Sequence, residues 1–132
     1  MALVRIEVLQ GRSAEQKRQL LAAARDALVS ALRVPPGDPT LRLVELDPLD
    51  VMLPTDPYAM SELFALVEIT MFSGRSLQAK RRLYRELVGA FTALGIPELD
   101  ITIVILESSR ENWGVRGGLS AEDVDLGFSV EI

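Results

Sequence analysis

Cysteine and histidine are both absent from the 132 residues of this chain. Without them the sequence lacks the commonest zinc ligands and the side chain that most often transfers protons at neutral pH. The Ser/His and Cys/His arrangements of nucleophilic hydrolases are excluded for the same reason. The sequence therefore predicts neither a zinc site nor a hydrolase of those classes.

Long apolar runs and an excess of positive charge are also lacking. No apolar run approaches bilayer length, and charges interrupt the apolar residues of segment 1–7, so we expect a cytoplasmic protein with no membrane partner. The net charge is -5 and the pI is near 4.8. This charge opposes binding to phosphate backbones, and we expect no nucleic-acid partner.

Two kinds of binding motif are missing as well. The glycines form neither of the phosphate-binding patterns, GxGxxG and GxxxxGK followed by Ser or Thr. The acidic residues Asp47, Asp50 and Asp56 lack the glycine and the terminal glutamate of an EF-hand. We therefore interpret these glycines as turn residues and these acids as part of a solvated linker, and we expect no bound metal.

The residues that are present indicate a folded globular protein. Hydrophobic residues make up 48% of the chain and charged residues 25%, which is a balance typical of that class. A chain of 132 residues can bury a core without disulfides and has the usual length of one domain. We therefore predict a single domain over residues 1–132.

One short motif occurs twice with the same internal spacing. Gly11-Arg12-Ser13 with Lys17 recurs as Gly74-Arg75-Ser76 with Lys80. Each copy follows an apolar strand-like run and precedes an amphipathic helix, and after each helix come a hydrophobic residue, a proline and a second strand-like run. The repeat predicts two βαβ units.

Hydrophobic periodicity sets the bounds of these units. The predicted units cover about residues 2–46 and 63–106, with a linker over 47–62 and a tail over 107–132. In the first unit we expect a strand through Val4, Ile6 and Val8 and a second strand over 41–46. Between them we expect a helix over 14–33, which begins with a capping box at Ser13 and Gln16. In the second unit they are a strand over 63–72 covered on both faces, a helix and a strand over 101–106. The predicted buried stripe of the second helix comprises Leu83, Tyr84, Leu87, Val88, Phe91 and Leu94.

Strand connectivity then predicts an α/β architecture. Parallel strands joined by a crossover helix require the right-handed connection, so two such units form one four-stranded sheet with both helices on one face. The other face stays apolar, with Ile101, Ile103 and Ile105 or the residues between them pointing outward, and a second subunit is its simplest cover. The alternating run 127–132 is predicted to add an edge strand or hairpin to a neighbouring subunit.

Several stretches of the chain resemble the tautomerase superfamily, and most closely its malonate semialdehyde decarboxylase-like members. They are Gly11-Arg12-Ser13 after the first strand, Val34-Pro35 before Asp38, Gly74-Arg75-Ser76 with Lys80, and Glu107-Ser108-Ser109 leading to Asn112-Trp113. The resemblance covers nearly the whole chain. It implies the tautomerase fold and assembly as a homo-oligomer, with a trimer as the expected form. It also implies a small carboxylic acid as the substrate or ligand and no cofactor.

The same resemblance implies an active site. Members of the family act through an amino-terminal proline, and Ala2 stands in its place. Asp38 matches an acidic residue that activates water or positions the substrate. Arg75 matches the second of two arginines that hold the substrate's carboxylate or carbonyl, and Ser73 replaces the first. Trp113 matches a tryptophan that lines the pocket.

Each of these residues also has a purely structural interpretation. The repeat itself could require Arg75, since Arg12 holds the equivalent place. Asp38 could shape its proline-rich turn, and Trp113 could be a packing residue. Removal of Met1 would expose a primary amine on Ala2, and such an amine is mostly protonated at neutral pH unless desolvation lowers its pKa. It could still act as an acid or form a Schiff base.

Two functions therefore follow from the sequence. The first is an enzyme that tautomerises, hydrates or decarboxylates a keto or enol acid, with Arg75 on the carboxylate and Asp38 orienting water or substrate. The alternative is a catalytically degenerate, carboxylate-binding or structural homologue, because Ala2 and Ser73 replace two residues of the family's site.

Overall fold

The two repeats of the sequence form two strand-helix-strand units in the computed structural model, which describes residues 1–132. The first unit consists of β1 (Ala2–Leu9), α1 (Ala14–Leu32) and β2 (Thr40–Leu46). The second consists of β3 (Ala65–Phe72), α2 (Leu77–Ala93) and β4 (Ile101–Ser108). A small hairpin of β5 (Gly114–Val115) and β6 (Leu119–Ser120) follows.

The four long strands form one mixed sheet in the order β2-β1-β3-β4. Each unit contributes a parallel pair, β1 with β2 and β3 with β4, whereas β1 and β3 run antiparallel at the centre. The start of β1 therefore lies beside the end of β3, with Ala2 opposite Met71. The predicted four-stranded sheet with both helices on one face is confirmed.

Helix α1 begins where its sequence signals place it and ends within one residue of the predicted position. The hydroxyl of Ser13 accepts a hydrogen bond from the Gln16 amide at 3.1 Å, and the Gln16 side chain accepts one from the Ser13 amide at 2.9 Å, so the predicted capping box is present. The helix ends at Leu32, one residue earlier than predicted, because Arg33 turns into the left-handed region at φ 56°. Two prolines after Val34 then prevent the helix from resuming.

The core lies between the sheet and the helices. It contains alternate residues of β1 and β3, such as Val4, Ile6, Val67 and Ile69, each at most 1% exposed. The predicted stripe of α2 is only partly correct: Leu83, Leu87 and Phe91 are fully buried, but Tyr84 and Val88 are half-buried and Leu94 is 40% exposed. Leu94 lies after the last turn of α2, where the chain leaves the core.

The residues of β4 that face outward are the alternates of its isoleucines. Ile101, Ile103 and Ile105 pack against the core, so they point toward the helices. Thr102, Val104 and Leu106 point to the open face of the sheet and are exposed. That face, which also carries Leu3 and Leu66, mixes apolar with polar side chains.

The predicted start of the third strand is wrong, and the tail forms no strand within its own chain. Strand β3 begins at Ala65 rather than Leu63, because the Phe64 amide donates to the Ser61 carbonyl at 3.1 Å and closes a turn. The run 127–132 forms no strand in this chain. It contacts its own subunit, where Phe128 packs against the main core and the Ser76 hydroxyl donates to the Ile132 carbonyl at 2.9 Å. Pairing of this run with a neighbouring subunit stays a prediction.

Neither α1 nor α2 combines the length and the hydropathy that crossing a bilayer requires.

Candidate functional site

The start of the chain and Asp38 meet at one end of the sheet. Strands β1 and β2 are parallel, with Leu3 opposite Thr40. Two residues earlier on each chain segment, Asp38 therefore comes alongside Met1. A turn in which the Asp38 amide donates to the Pro35 carbonyl at 2.9 Å directs the carboxylate inward. The Met1 amine lies 3.2 Å from the Asp38 carboxylate, whose side chain is only 11% exposed.

Arg75 reaches the same place from the loop between β3 and α2. Gly74 precedes it at φ +133°, a conformation that L side chains rarely adopt, and this turns the chain sharply at the end of β3. The arginine is 6% exposed and donates from Nη1 to the Phe72 carbonyl at 3.3 Å. Burial lowers the pKa of Arg75, whereas the nearby carboxylates Asp38 and Glu107 oppose that shift. The guanidinium remains a cation.

The surroundings of the Met1 amine lower its pKa. Burial, the largest cause, lowers the pKa of this half-buried amine below its ordinary value. The ion pair with Asp38 opposes that shift, and the positive charges of Arg75 and Arg110 add to it. A neutral amine is the form that a general base or a nucleophile requires.

Three buried polar atoms of this region have no hydrogen-bond partner. They are Oδ2 of Asp38, Nε of Arg75 and Nε1 of Trp113, and the only other such side-chain atom in the molecule is Oε2 of Glu86. Most buried polar groups in proteins are paired, so each exception requires an explanation such as a bound water, a ligand or a catalytic role. Here one acceptor and two donors are left unpaired on three of the residues that the sequence singles out.

Trp113 and Ser73 differ in how closely they join this group. The indole of Trp113 packs edge-on against Phe72, with ring centroids 4.7 Å apart and planes at 63°, in a small hydrophobic cluster that Met1 also contacts. A cavity of about 320 Å³ between Leu3, Thr70 and Trp113 borders the cluster. Ser73 is exposed, and its backbone amide donates to the Ser108 carbonyl at 3.1 Å.

Ala2 does not supply the amine of this site in the full-length chain. It is the first residue of β1 and is 2% exposed, and the amine that reaches Asp38 belongs to Met1. The structure therefore brings together the amine, Asp38 and Arg75, with Trp113 beside them and Ser73 at the exposed rim. No group of three or more acidic side chains gathers in an arrangement that could hold a metal ion.

Arg110 is a residue of this region that sequence reasoning missed. Its Nε and Nη2 donate to the Ala121 carbonyl at 3.1 and 2.8 Å, and Nη2 also donates to the Val124 carbonyl at 2.7 Å. These bonds hold the turn that packs Ala121 and Val124 against Phe72. The available signal was its position within the Glu107 to Trp113 stretch, directly after β4.

Comparison with protein families identifies what this arrangement belongs to. Residues 38–116 match a family model described as tautomerase enzyme, and residues 3–47 match a second model with the same description. The first match spans more than half of the chain. The chain belongs to the tautomerase family.

Similar proteins of this family include both sequences and solved structures. "Probable tautomerase RSp0893" of Ralstonia nicotianae is 36% identical over 53 residues, which are 39% of this chain and 76% of that protein. A crystal structure of malonate semialdehyde decarboxylase superposes with a TM-score of 0.80 at 29% identity, covering 91% of this chain and 94% of the other. A symmetric trimer of fused 4-OT gives a TM-score of 0.79 at 30% identity, with coverages of 91% and 96%.

Within the tautomerase family this chain is a tandem member with two non-identical ends. Two overlapping segments, residues 3–47 and 38–116, match the family, yet only the first repeat begins with a free amine. The amine, Asp38 and Arg75 therefore meet at one end of the sheet and have no full counterpart at the other.

Proposed function

We propose that this chain is a cofactor-independent enzyme that acts on a small keto or enol carboxylic acid by tautomerisation, hydration or decarboxylation. The observation that carries the proposal is the set of unpaired buried atoms on Asp38, Arg75 and Trp113 next to an amine whose pKa is lowered. A substrate carboxylate accepting from Arg75, a water or hydroxyl donating to Asp38, and an oxygen accepting from Trp113 would satisfy these groups.

Arg75 is assigned the role of substrate anchor. A guanidinium matches the geometry of a carboxylate, and its low exposure strengthens the interaction by excluding water. Trp113 supplies an apolar wall beside it. Asp38 pairs with the amine and orients the reacting water or the substrate through a hydroxyl that donates to its carboxylate.

The amine is assigned the proton transfer. In a tautomerisation the neutral amine takes a proton from the carbon next to the substrate's carbonyl, and Arg75 stabilises the negative charge that develops on the enolate. The resulting ammonium returns the proton to a different atom of the substrate, so protons and charge balance. The amine is that of Met1 or, in protein from which Met1 has been removed, that of Ala2.

Steady-state assays with the enol of phenylpyruvate, with 2-hydroxymuconate and with malonate semialdehyde test this proposal. We expect turnover of at least one substrate above the buffer rate and a loss of about tenfold or more in kcat/KM in Arg75→Ala. Arg81→Ala, which removes an exposed arginine from the adjoining helix α2, is the matched control and keeps its activity. Rates equal to buffer for all three substrates would contradict the proposal.

A second candidate function is favoured by two substitutions. Ala2 replaces the proline and Ser73 replaces an arginine, so a carboxylate-binding homologue without turnover is the alternative. Ala2→Pro separates the two, provided that intact mass confirms removal of Met1 from both proteins. Turnover in Ala2→Pro alone supports the degenerate homologue, and equal turnover in both proteins supports the enzyme.

We also propose that the chains assemble as a trimer. The open face of the sheet carries Leu3, Leu66, Val104 and Leu106, which a partner subunit would cover. The similar fused 4-OT forms a trimer, and this supports the same assembly here.

A further inference from the structure

The two repeats build equivalent junctions at opposite ends of the sheet. Gly11 and Gly74 both have positive φ, at +127° and +133°, and the serine two residues later caps the helix in each case. Lys17 pairs with Glu45 at the first junction, and Lys80 pairs with Glu107 at the second. Because β1 and β3 are antiparallel, each junction lies beside the start of the other repeat's first strand.

The end that contains Arg12 lacks the chain-terminal amine and an unpaired counterpart of Asp38. Phe64, which is fully buried, precedes β3 where Met1 precedes β1. Asp100 follows Ile96 by four residues, as Asp38 follows Val34. Its carboxylate accepts hydrogen bonds from the Ser61 amide at 3.0 Å and from the Ser61 hydroxyl, so it is already paired. This end therefore lacks the amine–aspartate pair to which the proton transfer is assigned at the other end.

The same end nevertheless keeps a cavity and a cation. The cavity is about 420 Å³ in volume, and its lining includes Leu9, Gln10, Arg12, Gln16, Glu62 and Leu63. The Arg12 guanidinium forms no hydrogen bond or ion pair in the chain, since the nearby Glu45 binds Lys17 at 2.8 Å. Arg75, by contrast, already donates to the Phe72 carbonyl. Partial burial lowers the pKa of Arg12, and Glu45 opposes that shift.

We propose that this cavity is a second, non-catalytic binding site for a small monocarboxylate that also carries a hydrogen-bond donor, such as a hydroxy acid. The guanidinium of Arg12 binds the carboxylate through its two-pronged donor geometry. The Gln16 side-chain oxygen is used by the capping box, so its amide nitrogen and that of Gln10 remain as further donors. The carboxylate of Glu62 accepts from the ligand's hydroxyl and repels a second carboxylate, which selects against dicarboxylates.

Titrations with lactate and with malonate test this site. Calorimetry measures affinity, and amide chemical shifts in a 15N-labelled protein locate the ligand. We expect saturable shifts at Gln10 and Gly11 with lactate, weakened about tenfold or more in Arg12→Ala and unchanged in Arg75→Ala. The control is Arg18→Ala, which removes an exposed arginine from helix α1, the helix that follows Arg12. We expect it to leave the affinity unchanged. Glu62→Gln is expected to strengthen malonate binding relative to lactate.

Each other outcome contradicts the site. Absence of saturable shifts around Arg12, or equal lactate affinity in wild type and a folded Arg12→Ala, would overturn it. Shifts confined to the loop of Arg75 would assign the ligand to the first site alone. Because Arg12 and Arg75 lie at opposite ends of the sheet, this inference stands or falls independently of the proposed enzyme activity.

Discussion

At the scale of single residues, the amine of Met1 and the carboxylate of Asp38 lie 3.2 Å apart, yet burial, with the charges of Arg75 and Arg110, lowers the amine's pKa by more than Asp38 raises it. Asp38→Asn removes the charge that opposes the shift, so we expect the pKa of the amine to fall further. The pH dependence of amine methylation by 13C-formaldehyde, followed by NMR, measures this. Asp26→Asn, at an exposed carboxylate on α1, is the control, and an unchanged or higher pKa in Asp38→Asn would contradict the prediction.

The same shift gives stability a definite pH dependence. The folded-state pKa of the amine lies below its unfolded value, so the unfolded chain binds more protons in the window between the two values. The amine's contribution to the free energy of unfolding therefore rises as pH increases through that window and is constant above it. In Asp38→Asn the window extends to lower pH.

Two glycines in equivalent conformations allow a matched test of the tail. An alanine at Gly11 or Gly74 is strained by the positive φ, which costs about 1–3 kcal/mol at either position. At Gly74 the new Cβ would also lie 2.9 Å from the Val130 carbonyl oxygen, whereas at Gly11 nothing lies within 4 Å. We expect Gly74→Ala to lose more stability in urea denaturation and to increase hydrogen exchange in 127–132. Equal losses and unchanged exchange would show that the tail does not hold this position.

At the scale of elements, the end of α2 carries two residues that sequence periodicity predicts to be buried, and only one of them is buried. Phe91 is fully buried and Leu94 is 40% exposed. We expect Phe91→Ala to lower the free energy of unfolding by about 3–5 kcal/mol and Leu94→Ala by less than about 1 kcal/mol. Chemical denaturation at one fixed chain concentration measures both, since assembly contributes to apparent stability. Similar losses would mean that Leu94 is covered in solution.

The elements themselves could largely be predicted from sequence, because their signals are local. The capping box at Ser13 and the prolines after Val34 bound α1 within one residue. Which residues of β4 face the helices could not be predicted, because the run 101–106 is apolar at nearly every position. Alternation of apolar and polar residues therefore does not show which set is buried. Its register against β3, where Val67 lies opposite Ile103, decides which side is buried. That register depends on contacts between distant parts of the chain.

The candidate site shows the same division between local and distant contacts. Asp38 and Arg75 could be singled out by motif, and the Leu3 to Thr40 register then explains why the aspartate reaches the chain start. Arg110 could not be found in this way, because its partners are the backbone carbonyls of Ala121 and Val124. A main-chain acceptor leaves no side-chain pattern in the sequence.

At the scale of the whole molecule, the helices cover one face of the sheet and leave the other open. Across the middle of that open face Arg5 lies opposite Arg42 on one side and Glu68 on the other. A partner that covers the face must therefore satisfy these charges as well as bury the leucines and valine around them, which favours one specific mode of association over non-specific contact.

Val104 provides the test of that assembly. It is 43% exposed on the open face, and Leu94, 40% exposed at the end of α2, is a matched apolar position away from that face. A buried, unpaired glutamate is strongly unfavourable, so we expect Val104→Glu to dissociate the trimer while Leu94→Glu leaves it intact. Sedimentation velocity and light scattering at several concentrations measure the molar mass. A wild type that sediments as one chain, or a Val104→Glu variant that stays trimeric, would mean that this face is not the interface. Because the amine and Asp38 lie beside the first residues of β1, whose Leu3 points to that face, dissociation should also lower whatever turnover the wild type has.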